Sequence, residues 1–146
     1  MAKIYSRLTF TGADFDANLI TVQAGVAPTL EYKQTNVSER GDVCENTIWM
    51  IETIPVKTNE VDLSLCELIK KIPCEAKVLK EISDRFCGKW NCTVVIEFLP
   101  GFAPNIILSS KTISFLAEIG SGLHFDEHML ENTNSPMEYG EEIVLD

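Results

Sequence analysis

Three side chains near the end of the chain have the types and spacing for acid–base or metal chemistry. His124, Asp126 and His128 sit two residues apart in an apolar-rich run, so on a strand all three fall on one face. Two imidazoles flanking a carboxylate can relay a proton or hold a metal ion. Cys87 and Cys92, separated by four residues, together with His124 and His128 contain the donors of a Cys2His2 zinc centre. Two physical objections weaken that centre. Cys92 falls in an apolar row with Val94 and Ile96, where a thiol behaves as a small hydrophobe, and the spacing is not that of a tight zinc knuckle. No Ser, Cys or Glu joins the histidines at a recognisable motif spacing, so a solvated strand face explains the cluster at least as well. The Asp14-Phe15-Asp16 pair of carboxylates reads as a helix cap and a loop turn. The chain has no phosphate-cradling Gly-rich loop, no His-Glu-x-x-His and no Gly-x-Ser-x-Gly. The reading is therefore no catalytic residue, no metal and no cofactor.

The elements that would position these groups follow from periodicity. Lys3–Phe10 alternates as a half-buried strand, interrupted by Ser6 on the apolar parity. Asp14 or Asp16 caps a helix carrying Leu19, Ile20 and Gln23 on one face, and Gly25 followed by Pro28 ends it. Residues 30–46 are polar and poorly patterned, an irregular strand or long loop. Thr47–Ile54 is a strand ended by Pro55. Asp62 caps a helix with Leu63, Cys66, Ile69 and Ile72 as its apolar face, broken by Pro73; Val78, Leu79, Ile82 and Phe86 mark another, stopped by Gly88. Trp90–Leu99 is the strongest strand, with Trp90, Cys92, Val94, Ile96 and Phe98 forming one core row. Ser109 or Ser110 caps a last helix built on Ile113, Leu116 and Ile119, and Leu123–Met129 is the final strand. The expected fold is α+β: a mixed or antiparallel sheet of about four to five strands, helices mainly on one face, and two similar strand–helix–strand units. The first unit runs from residue 4 to Gly25 and the second from residue 93 to Gly120.

At 146 residues the chain is sized for one domain. Residues 1–130 are expected to form it, leaving 131–146 as an acidic, flexible tail, because that segment is rich in Asn, Ser, Pro and Glu. The chain carries 12 basic and 22 acidic residues, net −10. That balance opposes binding to nucleic acid or anionic membranes and favours a cationic partner. There is no signal-peptide core at the start and no apolar run of membrane-spanning length, so a cytoplasmic protein is expected. The Lys/Arg-rich stretch at 70–89 reads as a solvated helix face with Lys77–Glu81 and Glu81–Arg85 pairs. The acidic, unpatterned stretch at 31–67 is the better contact surface, with Glu39, Asp42 and Glu45 as its partner-binding residues.

A strand runs into Phe10-Thr11-Gly12-Ala13-Asp14-Phe15-Asp16, and a helix ends in Gly25-Val26-Ala27-Pro28-Thr29. Trp49 then lies in a strand, a long helical segment and a Val/Ile-rich strand follow, and Ile113–Leu116–Ile119-Gly120 precedes Leu123-His124-Phe125-Asp126. This order of features resembles a bacterial domain-of-unknown-function family, number 4279, over about residues 4–128. It implies a small α+β protein with no assigned reaction and transfers no site residues. Size and acidity are also those of immunity proteins that neutralise bacterial toxins, an analogy. Three function classes stand at this point. The first is a non-enzymatic protein-binding module, in its sharpest form an immunity-type inhibitor of a cationic toxin. The second is a metal-binding or catalytic protein using His124, Asp126 and His128. The third is a structural homo-oligomer paired through an edge strand.

Overall fold

A computed structural model describes residues 1–13 and 15–131. The expected tail therefore lies outside the described residues apart from Glu131, as does the alternative cap Asp14. The elements are β1 (Lys3–Ala13), α1 (Ala17–Ala24), β2 (Leu30–Val37), β3 (Val43–Glu52), β4 (Val56–Lys57), α2 (Val61–Lys70), α3 (Ala76–Phe86), β5 (Lys89–Phe98), α4 (Ser110–Glu118) and β6 (Gly122–Met129). This is an α+β fold with one mixed sheet of order β2-β3-β1-β5-β6, and β4 pairs with β1 beside β3. All pairings are antiparallel except β5 with β6. The sheet has six strands, more than the four to five expected. The difference lies in residues 30–46, which form most of a β2–β3 hairpin, and in the two-residue β4 beyond Pro55. The two strand–helix–strand runs return differently. After α4, β6 pairs directly with β5. After α1, β2 runs parallel to β1 with β3 inserted between them.

The helices cover the sheet face that carries the even-numbered residues of β1 and β5. Ile4, Leu8, Phe10, Trp90, Cys92, Val94 and Ile96 are all buried there. Trp49 Nε1 donates to Thr21 of α1 at 3.0 Å, and Trp90 Nε1 to the Leu79 carbonyl of α3 at 2.7 Å. Ser6, the polar interruption in β1, is fully buried because its Oγ is 2.9 Å from Ser64 Oγ of α2 and its N–H donates to Thr53 Oγ1 at 2.9 Å. Phe98 is only half-buried at the end of its row, whereas Leu63 and Ile113 are 50% and 52% exposed. The buried apolar face of α2 is instead Val61, Leu65 and Leu68, whereas Leu116 of α4 and Ile119 just after it are buried as expected.

Helix ends follow local chemistry in two cases and tertiary contacts in a third. Asp16 accepts from the Asn18 N–H at 3.0 Å and Gly25 takes the left-handed conformation at φ 77°, so α1 is capped at both ends as read from sequence. Asp62, expected to cap α2, lies inside the helix one position past its start at Val61; Glu60 holds the cap position without a side-chain bond. The Asp62 carboxylate turns toward α4. Its Oδ1 accepts from the Ser109 N–H at 3.1 Å and the Thr112 hydroxyl at 2.8 Å, and its Oδ2 from the Cys66 thiol at 3.5 Å. Burial alone would push this carboxyl up, but the donors from Ser109, Thr112 and Cys66 together outweigh it and hold it below the usual aspartate range. A depressed folded pKa contributes stability that is present above the unfolded value near 4 and lost as pH falls through the folded value. Asp62→Asn should therefore lower stability at neutral pH, with the gap to the wild-type protein closing as pH falls below about 4. Parallel acid-melting curves for the two proteins would show that the clamp does not titrate.

Candidate functional site

The acidic residues singled out by sequence stand together on the β2–β3 hairpin. Strict antiparallel pairing from Leu30↔Met50 to Val37↔Val43 builds it. Its turn is closed by Ser38, whose N–H donates to the Asp42 carbonyl at 2.8 Å, whose carbonyl accepts from Gly41 N–H at 2.9 Å, and whose Oγ accepts from Asp42 N–H at 3.1 Å. Gly41 sits at φ 85°, the left-handed position such a turn needs. β1 pairs with β3 only from Asn46 onward, so Val43–Glu45 and their β2 partners extend past the neighbouring strand as a two-stranded ribbon. All eight residues of β2 are exposed. Glu39 and Asp42 flank the turn, and Glu45 stands on β3 with its carboxylate 4.0 Å from Lys33 Nζ. The three acids are exposed, and Arg40 lies between Glu39 and Asp42 in the turn. The tip is acidic but mixed. Val37 and Val43, 66% and 68% exposed, pair across it and give it an apolar centre.

The second constellation, His124, Asp126 and His128, does share one face of β6, the opposite edge of the sheet. The partners in register are Thr93, Val95 and Glu97 of β5, which puts all of them on the face away from the helices. His128 Nε2 is 3.0 Å from Asp126 Oδ1, and both side chains are about half exposed. Among the described residues no three His, Cys, Asp or Glu side chains stand together as a metal site. Cys92 pairs in register with Leu123 on the helix-covered face, so the thiol and the imidazoles lie on opposite sides of the sheet. A Cys2His2 centre would need that sheet to be opened. Burial pushes the Cys92 thiol up to about 12, the behaviour of a core hydrophobe.

The basic stretch at 70–89 is a solvated surface whose pairs differ from those expected. Lys80 Nζ is 3.1 Å from Asp84, Lys70 is 3.4 Å from Glu67, and Lys71 donates to the Glu52 carbonyl at 2.8 Å. One feature escaped the sequence reading. Between the start of α1 and the hairpin lies an open groove of about 470 Å³ lined by Phe15, Asp16, Asn18, Glu31, Lys33 and Thr47. Its residues come from three separated segments, and with 30–46 unassigned nothing in the linear sequence brought them together. Among the described residues no helix is long and apolar enough to cross a membrane.

No curated protein and no solved structure matches the chain. The model of the family described as Domain of unknown function (DUF4279) matches residues 2–130, a span that contains every strand and helix described above, and the chain belongs to that family.

Proposed function

We propose that the protein is a non-enzymatic protein-binding module that presents the β2–β3 hairpin to a cationic partner. One observation carries this reading: β2 is an edge strand exposed along all eight residues. Such an edge offers a row of backbone donors and acceptors to an incoming extended segment. Glu39, Asp42 and Glu45 at the tip, on a chain of net charge −10, would attract a basic protein and speed encounter. Inhibition of a basic bacterial toxin is the sharpest form of this function, and the expected setting is the bacterial cytoplasm. The test is a low-salt capture of a basic protein on the native chain, followed by association kinetics with the identified partner. The triple variant Glu39→Gln, Asp42→Asn, Glu45→Gln should slow association roughly tenfold at low salt and flatten its salt dependence. An unchanged on-rate and an unchanged salt slope would place the contact elsewhere. The same free edge supports a second reading, a homo-oligomer in which two β2 strands pair. Light scattering at working concentration separates the two.

A further inference from the structure

The hairpin turn fixes which backbone groups of β2 face β3 and which face outward. Ser38 N–H donates to the Asp42 carbonyl at 2.8 Å. Bonded and non-bonded pairs alternate along an antiparallel ladder, so Asn36, Gln34, Tyr32 and Leu30 bond inward to β3. Glu31, Lys33, Thr35 and Val37 therefore turn their N–H and C=O groups outward. The register with β3 is unbroken from Leu30 to Val37, no proline interrupts the strand, and all eight residues are exposed. Among the described residues β3 is the only neighbour of β2 in the sheet. Native edges of this length are ordinarily blunted by a proline, a bulge or a cover.

The charges on this edge select both an occupant and a register. When a second copy adds its β2 antiparallel about a two-fold axis, only the outward residues oppose one another as bonded pairs. An axis at Glu31 or at Lys33 sets like charges directly opposite, which is destabilising. An axis at Gln34 sets Glu31 against Val37 and Lys33 against Thr35. An axis at Tyr32 sets Glu31 against Lys33 of the second copy, and by symmetry does so twice. On the other face of the strand this register brings Tyr32 onto Tyr32 and Leu30 onto Gln34. Leu30 and Tyr32 are 49% and 42% exposed and continue a strip begun by their β3 partners Met50 and Ile48, so the contact removes apolar surface from water. Lys33 Nζ stands 4.0 Å from Glu45, both side chains about half exposed, a loose contact that leaves the ammonium within reach of a second carboxylate. We infer that two copies of the chain pair β2 to β2 in this register, with the two-fold axis at Tyr32 and reciprocal Glu31–Lys33 pairs, joining their sheets into one. The inference rests on the homo-oligomer reading of the free edge given above and adds the residues that make the contact.

Sedimentation of the full chain at low salt should show a monomer–dimer equilibrium with Kd of about 0.1 mM, the scale of a small interface. Glu31→Lys opposes like charges at both pairs and should weaken dimerisation by about tenfold. Glu31→Lys combined with Lys33→Glu reverses the pair without removing it and should restore the dimer. Both positions are exposed, so the variants should melt with the wild-type protein. With the exposed Cys44 and Cys87 changed to Ser, Tyr32→Cys should cross-link into a covalent dimer in oxidised glutathione, because a non-bonded antiparallel pair stands about 4.5 Å apart at Cα, within disulfide reach. Gln34→Cys is offset from its own copy by roughly 13 Å in this register and should stay monomeric. A chain that remains monomeric up to about 1 mM overturns the inference and the homo-oligomer reading together. A dimer indifferent to Glu31→Lys, not restored by the reversed pair, or not cross-linked through Tyr32→Cys overturns this contact alone and leaves oligomerisation to another register or surface.

Discussion

Trp90→Ala should destabilise the protein by about 3–5 kcal/mol, the range for truncating a fully buried aromatic. Trp90 is 1% exposed and joins the two halves of the core. Its ring packs on Phe10 of β1 with centroids 4.7 Å apart and meets Trp49 of β3 edge-on at 6.0 Å. Its indole N–H ends on the Leu79 carbonyl, tying β5 to α3. Removing the ring leaves a void among Phe10, Trp49 and α3 that neighbouring side chains fill only in part. Trp90→Phe separates the contributions: it keeps most of the apolar surface, loses the hydrogen bond, and should cost about 1 kcal/mol for that bond plus a packing loss. Denaturant melts of the two variants provide the measurement. An alanine variant with a midpoint and slope indistinguishable from wild type would mean that Trp90 is not the junction of the sheet and α3.

How much of this was legible in the sequence depended on burial. β5 was read correctly because its even residues are buried between β1 and the helices, which leaves an uninterrupted apolar row. α1 was read at both ends because its caps, Asp16 and Gly25, are local chemistry. The β2–β3 hairpin was missed because β2 is exposed on both faces. With no buried side to enforce alternation, Leu30–Val37 carries no period of two, and only cross-strand hydrogen bonds define it. The acidic tip residues are exposed, and their charge density is visible without knowing the fold. Asp62 shows a different limit. Its spacing suits a cap, but its role is set by Ser109 and Thr112, 47 and 50 residues away. Leu63 and Ile113 were assigned to the core from helical spacing, and tertiary packing rotated them outward.

Gly88 is the other position where a single substitution should have a large effect, and the reason is space rather than backbone conformation. The sequence reading took Gly88 as the stop of α3. The left-handed cap itself is Cys87, at φ 51°. A Cβ at Gly88 would stand 2.3 Å from Phe10 Cζ, 2.8 Å from Phe10 Cε2 and 2.7 Å from the Thr11 carbonyl oxygen. Neither neighbour yields cheaply. The Phe10 ring is fully buried, with centroids 5.3 Å from Phe15 and 4.7 Å from Trp90. The Thr11 backbone lies where β1 pairs with Lys89 of β5. Gly88→Ala should therefore cost about 3 kcal/mol, the upper end of overpacking, by prising the start of β5 away from β1. Gly120→Ala is the contrasting control: its φ is 69° with open space around the added Cβ, so only left-handed strain of about 1–2 kcal/mol applies. The steric origin can be isolated by combining Gly88→Ala with Phe10→Leu. A smaller residue at 10 relieves the collision, so the double variant should be more stable than the sum of the single losses by about 1 kcal/mol or more. Strictly additive losses would show that the two residues do not compete for the same volume, and the close approach of α3's exit to β1 would have to be redrawn.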